Sequence, residues 1–307
     1  MQTIETKPSV SFKNLLLATD FSAISKSALA YAASIASRYG SKIYVVHVIP
    51  PEPQMPIPVE PSFPELDRDR LQAELAMQAF VNGDELKELR HETLLLRGAI
   101  WPELSELIES DEIDLLVVGT HGRAGLKKVI LGSVAEELFR QATCPVLTIG
   151  PAVPAVTGRG FRRILLATDF GAASLHALPY AFSLAQQSQG ELTLLHVLPP
   201  TRAVEVTPYW HVSTDVVEKQ ETARRNALGE LKQLLPLENK LVSDPELLVG
   251  FGPVSEEIVR MAAVSQADLI VMGVNRAASV RVSVHLPWAT AYEVVGHAQC
   301  PVLTVRG

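Results

Sequence analysis

Short apolar runs alternate along this chain with longer stretches whose apolar residues recur at helical spacing. Leu15 to Ala18 and Leu115 to Val118 are apolar on both faces, and Ile43 to Val48, Thr93 to Arg97 and Cys144 to Ile149 are further strand candidates. That is the pattern of strands buried on two sides in a parallel sheet. After the first run, Ala28, Ala32, Ile35, Ala36 and Tyr39 share one helical face. Ser22 stands at its start as a cap and Gly40 just past its end. A further helix is predicted from Asp67 to about Leu89, with a break at Asn82-Gly83, and another from the Pro102 region to Ser110. Between Pro50 and Pro64 lie seven prolines, which exclude a regular element and read as an extended surface connection.

The pattern then repeats. Phe12-Lys-Asn-Leu-Leu-Leu-Ala-Thr-Asp20-Phe recurs as Phe161-Arg-Arg-Ile-Leu-Leu-Ala-Thr-Asp169-Phe, and the match runs without a gap to the Pro-Pro pairs at 50–51 and 199–200. The later runs follow in order: Leu192 to Val197, a helix from Val216 to Leu235, Leu247 to Gly250, Leu269 to Met272, and Cys300 to Val305. Each half therefore reads β-α-β-α-β-α-β-α-β, an α/β domain with a five-stranded parallel sheet covered by helices on both faces. Its crossovers should be right-handed. The expected domains are 11–150 and 161–307, joined by a Pro- and Gly-rich linker at 151–160.

Composition narrows the function. A net charge of -7 with a pI near 5.7, and no basic block, argues against a nucleic-acid partner. The two cysteines, Cys144 and Cys300, each open a Cys-Pro-Val-Leu strand entry and suit buried packing. Residues 1–11 lack the apolar core of a signal peptide and no apolar run approaches membrane-spanning length, so no membrane partner and a soluble, cytoplasmic protein are expected. Neither a P-loop, a G-x-G-x-x-G fingerprint nor a G-x-S-x-G elbow occurs.

What remains is the stretch after Ile113–Val118. Gly119 and Gly122 follow the strand, a nine-residue spacer intervenes, and Gly132-Ser133 opens a helix. Ser133-x-x-Glu136 has the form of a capping box, which places the helix start at Ser133. Glycines let backbone N–H groups approach a ligand, and a helix N-terminus attracts anions, so the stretch suits phosphate. The same residues also fit a tight strand-to-loop turn with an ordinary helix cap. At Asp20 the choice is between a ligand contact and a cap on the first helix.

The spacing G-x2-G-x9-G-[S/T] resembles that of the universal stress protein family, whose ATP-binding members carry this motif. The resemblance spans nearly the whole chain, twice, and implies a Rossmann-like fold of the adenine nucleotide alpha-hydrolase type. It implies a site for ATP, with Mg²⁺. Residues matching Asp20 and Val48 would line the nucleoside half, beside Ala18 and Thr19. Gly119, Gly122, Gly132 and Ser133 would hold the phosphates, with Val118 and Val134 beside them and Arg123 in the spacer near Lys127 and Lys128. His121 reads as a solvent-facing loop residue, and His47 and His196 as packed or edge residues. Family dimers pair through their last strands, which implies an intramolecular pairing of Val146–Ile149 with Val302–Val305. A homodimer of whole chains and an unnamed protein partner are further expectations.

The second half departs from the motif. Gly273 matches Gly119, but Val274-Asn275-Arg276 stands where Gly122 would fall, and Trp288-Ala289, preceded by Pro287, replaces Gly132-Ser133. Thr290-x-x-Glu293 offers a capping box one residue later, and Asp169 and Val197 are retained. One ATP per chain is expected. The resulting function is a nucleotide-dependent stress-response regulator or interaction module. The alternatives are a slow Mg²⁺-dependent ATPase and a structural interaction protein without nucleotide.

Overall fold

A computed structural model describes residues 10–51, 63–120, 132–156, 160–200, 214–236, 241–275 and 289–307. The chain divides into two compact units, Ser11–Gly160 and Phe161–Gly307, the latter including Val10.

The first unit runs β1 (Asn14–Ala18), α1 (Ala23–Tyr39), β2 (Lys42–Ile49), α2 (Phe63–Val81), β3 (His91–Arg97), α3 (Ile100–Ser110), β4 (Leu115–Gly119), α4 (Ser133–Gln141) and β5 (Val146–Ile149). Its strands lie in the order β3-β2-β1-β4-β5, and every pair is parallel. β1 is the middle strand, and Leu15, Leu16 and Leu17 on it are wholly buried, as apolarity on both faces requires. Ala28, Leu29, Ala32 and Ala36 press α1 onto the sheet with no exposure at all. Ser22 is the N-cap of α1, its hydroxyl accepting from Ser25 N at 3.2 Å, and Gly40 ends the helix in the left-handed region at φ 66°. α2 begins before the expected Asp67, with Pro64 in its first turn, and stops at Asn82-Gly83 as the sequence predicts. A 3₁₀ turn, Asp84–Leu86, follows it.

The second unit repeats the plan with β6 (Arg163–Ala167), α5 (Ala172–Ser188), β7 (Glu191–Leu198), α6 (Thr214–Gln233), β8 (Glu246–Phe251), α7 (Val254–Val264), β9 (Leu269–Val274), α8 (Ala289–His297) and β10 (Val302–Arg306). Its strand order is β8-β7-β6-β9-β10, again all parallel. Matching carboxylates secure the entry to each central strand. Asp114 accepts from Lys13 N at 2.7 Å, and Asp268 accepts from Arg162 N and Arg163 N at 2.8 and 2.9 Å. The Pro-rich stretch after β5 lies on the first unit, where the Tyr31 hydroxyl donates to Pro154 O at 3.0 Å. The Pro50–Pro64 excursion falls mostly outside the described residues.

Both expected capping boxes are corrected. Gly132, at φ -59° and ψ 149°, is the N-cap of α4, and Ser133 is the first helical residue. In α8 the first helical residue is Ala289, so Thr290 already lies inside the first turn. Glu293 turns aside to accept a hydrogen bond from the Ser255 hydroxyl. A box needs the hydroxyl one residue before the helix, and in both repeats the backbone enters the helical region a residue too early.

Candidate functional site

In each sheet the chain leaves the central strand on one side and returns to it on the other, so a crevice opens beyond the carboxyl ends of β1 and β4. The register brings the expected residues to that end. Ala18 lies opposite both Val46 and Val118. Val48 sits two positions further along β2, opposite Leu96, and is half-buried. Thr19 N adds a last rung to Val46 O at 2.9 Å.

Beyond that rung the chain folds into two interlocked turns. Thr19 Oγ1 accepts from Phe21 N at 2.9 Å, and Asp20 Oδ1 accepts from Ser22 N at 3.0 Å and from Ser25 Oγ at 2.6 Å. Such side-chain turns hold Phe21 at φ 64°, a left-handed conformation a bulky residue rarely takes. Burial pushes the Asp20 carboxyl up, but hydrogen bonds from the Ser25 hydroxyl, the Ser22 hydroxyl and Ser22 N–H outweigh it and hold the group below its ordinary value. Asp20 is thus ionised at neutral pH. The cap belongs to Ser22, and Asp20 supports it from two residues upstream.

Two residues complete this turn: His47, which the sequence left as a packed or edge residue, and Phe21, for which it gave no role. His47 Nδ1 lies 2.7 Å from Thr19 O, and the Phe21 ring covers the imidazole with centroids 4.4 Å apart. Phe21 in turn meets Phe80 at the end of α2, at 5.7 Å, edge to face. Lys26 Nζ fastens that end of α2 by donating to Phe80 O and Glu85 Oε2, at 3.0 and 3.2 Å. The signal was present in the sequence, since the Thr-to-His separation of 28 residues is the same in both repeats.

At the end of β4, Gly119 has a packing reason. A Cβ there would lie 2.9 Å from Ile24 Cγ2 and 3.3 Å from Ile24 C and Ser25 N. The first turn of α1 crosses the strand end so closely that an added methyl must displace the Ile24 side chain. Gly273 is in the same position, its Cβ only 2.2 Å from the carbonyl of Ala173. Thr120, which follows Gly119, is 1% exposed, and its carbonyl accepts from Gly132 N at 2.6 Å. That bond ties the start of α4 to the end of β4.

The first turn of α4 is open. Its first intrahelical bond is Glu136 N to Gly132 O, 2.8 Å, and no described group accepts from the N–H groups of Ser133, Val134 and Ala135. Ser133 and Val134 are exposed, and the Ser133 hydroxyl, relieved of capping, makes no hydrogen bond among the described residues. N–H donors at the positive end of a helix, with an adjacent hydroxyl, attract anions. Gly122 and Arg123, with His121, Lys127 and Lys128, lie outside the described residues. Those described contain no group of three or more His, Cys, Asp or Glu able to hold a metal.

The second unit keeps the turn. Asp169 Oδ1 accepts from Gly171 N and Ser174 Oγ at 2.9 and 2.7 Å, Phe170 sits at φ 62°, and His196 Nδ1 lies 2.8 Å from Thr168 O. Here glycine replaces Ser22 at the N-cap, and Val197 is buried where Val48 is half-exposed. Arg276, Pro287 and Trp288 lie outside the described residues.

Comparison with known proteins agrees with this architecture. The profile of the Universal stress protein family matches residues 11–150 and again 160–306. A universal stress protein of Methanocaldococcus jannaschii is 33% identical over 141 residues, covering 45% of this chain and 82% of that protein. Universal stress protein A homolog 1 of Coxiella burnetii is 33% identical over 143 residues, covering 45% of this chain and 96% of its own. Among solved structures, a universal stress protein from Archaeoglobus fulgidus shares the fold with a TM-score of 0.66. That match covers 95% of this chain and 98% of the other at 20% identity. Among the described residues no helix is long and apolar enough to cross a membrane.

Proposed function

The chain belongs to the universal stress protein family, and from that premise we propose that its first unit binds ATP, with Mg²⁺, and acts as a nucleotide-dependent regulator or interaction module of the cytoplasmic stress response. The observation that carries this reading is the open first turn of α4. Its Ser133, Val134 and Ala135 N–H groups and the Ser133 hydroxyl have no acceptor or partner among the described residues, while Gly132 N fixes the turn to β4. A triphosphate would supply acceptors for those donors and negative charge for the helix end. Ala18, Thr19, Asp20 and Val48 would take the nucleoside, and Val118, Gly119, Gly122 and Arg123 would complete the phosphate side.

Binding is favoured over catalysis by what Asp20 already does. It is the ionised carboxylate at the strand ends, yet its Oδ1 is engaged by Ser22 and Ser25, and a hydrolytic base must be within reach of an attacking water. The second unit would bind no triphosphate, so the full chain should take up one ATP. Calorimetric titration of the full chain with MgATP tests the reading, and a stoichiometry of one supports it. Two equivalent sites, or no binding at concentrations well above those in cells, would overturn it.

A further inference from the structure

We infer that His47 is a positioning residue for the proposed ATP site, an inference that rests on the ATP reading for its ligand. The ladder between β1 and β2 ends early. Thr19 N donates to Val46 O, and the next parallel rung would run from Val48 N to Thr19 O. Among the described residues that rung is missing, because the imidazole takes the carbonyl: His47 Nδ1 is 2.7 Å from Thr19 O. Diverting this one carbonyl has two effects on the same crevice. It fixes the peptide from which the Thr19–Asp20–Phe21 turn departs, and so the direction of the Asp20 carboxylate. It also leaves the Val48 N–H, at the mouth of β2, without an acceptor among the described residues.

The bond requires a donor at Nδ1, which both the neutral Nδ1–H tautomer and the imidazolium provide. Phe21 locks the ring from above at 4.4 Å, and the turn that holds Phe21 is itself closed by Thr19 Oγ1. His47, Thr19 and Phe21 therefore form a closed loop of contacts with Asp20 and Val48 at its two ends. The second unit contains the same loop in His196, Thr168 and Phe170, with contacts of 2.8, 3.0 and 4.4 Å. It lacks the Gly-Ser start of the phosphate helix. The duplicated loop thus provides a built-in control for a purely structural role.

The experiment uses the full chain and three variants: His47→Leu, which removes the donor; His47→Asn, whose side-chain amide restores one near Nδ1; and His196→Leu. MgATP affinity is read by calorimetry, and backbone order by amide hydrogen exchange at Phe21 and Ser22. His47→Leu should weaken ATP binding about tenfold, the loss expected of one orienting hydrogen bond, and His47→Asn should recover most of it. His196→Leu should leave the affinity within about twofold of the parent while speeding amide exchange at Phe170 and Gly171 as much as His47→Leu does at Phe21 and Ser22. Equal weakening by His196→Leu, an unchanged affinity in His47→Leu, or no recovery in His47→Asn would each overturn the assignment. If the parent binds no ATP, the ligand reading fails on its own and exchange decides the positioning claim. Faster exchange at Phe21 and Ser22 in His47→Leu, restored in His47→Asn, upholds it, and unchanged exchange refutes it.

Discussion

Replacing Gly119 and Gly273 by alanine, one at a time, separates helix packing from ligand approach as the reason for these glycines. Neither has a left-handed φ, so the effect comes from the added methyl group rather than from backbone strain. At Gly119 the nearest atom is the movable end of the Ile24 side chain at 2.9 Å, and the backbone of α1 is 3.3 Å away. A rotamer change and a shift of a few tenths of an ångström relieve that contact. The cost of about 1–2 kcal/mol for mild overpacking is partly offset by about 0.5 kcal/mol from restricting the unfolded chain. At Gly273 the methyl would sit 2.2 Å from Ala173 C and O and 2.3 Å from Ser174 N, all backbone. The whole first turn of α5 must retreat by about an ångström, at a cost of about 3 kcal/mol or more. Because two units need not unfold together, a single melting point is a poor measure, and hydrogen exchange in β1 and β6 reports each unit separately. Gly273→Ala should open the second unit far more than Gly119→Ala opens the first. Equal effects would refute the packing argument. A Gly119→Ala chain of unchanged stability that had lost ATP binding would show that the glycine serves ligand approach instead.

Ser133→Ala should change stability by less than about 0.5 kcal/mol, because Ser133 caps nothing, whereas Ser22→Ala should cost about 1 kcal/mol; urea denaturation compares them. Gly132→Phe should fold normally, since φ -59° suits any residue, yet block the phosphate path; ATP binding equal to the parent in calorimetry contradicts the site. Asp20 has a folded pKa below its ordinary 3.8, so its stabilising contribution is fully present above that value and lost as pH falls through the folded pKa. The stability advantage of the parent over Asp20→Asn should accordingly shrink as pH drops below 3.8, and a constant gap in acid urea titrations would argue otherwise. Burial raises the Cys144 and Cys300 thiols to about 12, so an aromatic disulfide reagent should label neither near pH 8 until denaturant is added.

The order of elements was legible because the inner strands of a doubly covered sheet must be apolar on both faces, and few other contexts allow that. Leu15–Leu17 and Leu115–Val118 are such runs, and they occupy the two strands flanking the crevice. The strand ends were less legible. Lys42 and Glu191 join the ladders of β2 and β7 through their backbones, which no side-chain pattern records. The caps of α4 and α8 were misread for a related reason. A Ser or Thr three residues before a Glu names a box only if the backbone turns helical at the right residue, and that depends on contacts such as Gly132 N to Thr120 O. Thr120 itself carries no signal, because its part in the site is played by a carbonyl.

The duplication explains why some residues of the site could be seen and others not. Thr19, Asp20, Phe21, Ser25, His47 and Gly119 have partners in Thr168, Asp169, Phe170, Ser174, His196 and Gly273 that make the same contacts in the second unit. Whatever these residues do for a ligand, they first build the turn that joins the central strand to its helix, since they build it in both units. Among the residues that differ are Ser22, Thr120, Gly122, Gly132 and Ser133, against Gly171, Val274, Arg276, Trp288 and Ala289. The first set leaves a helix N-terminus with a glycine cap and, among the described residues, an idle hydroxyl and open N–H groups. The shared residues thus set the frame on which a nucleoside would rest. On the proposed ATP reading, a phosphate preference would lie in positions where the two copies have parted, and exchanging Trp288-Ala289 for Gly-Ser is therefore expected to begin to confer on the second unit the anion affinity proposed for the first.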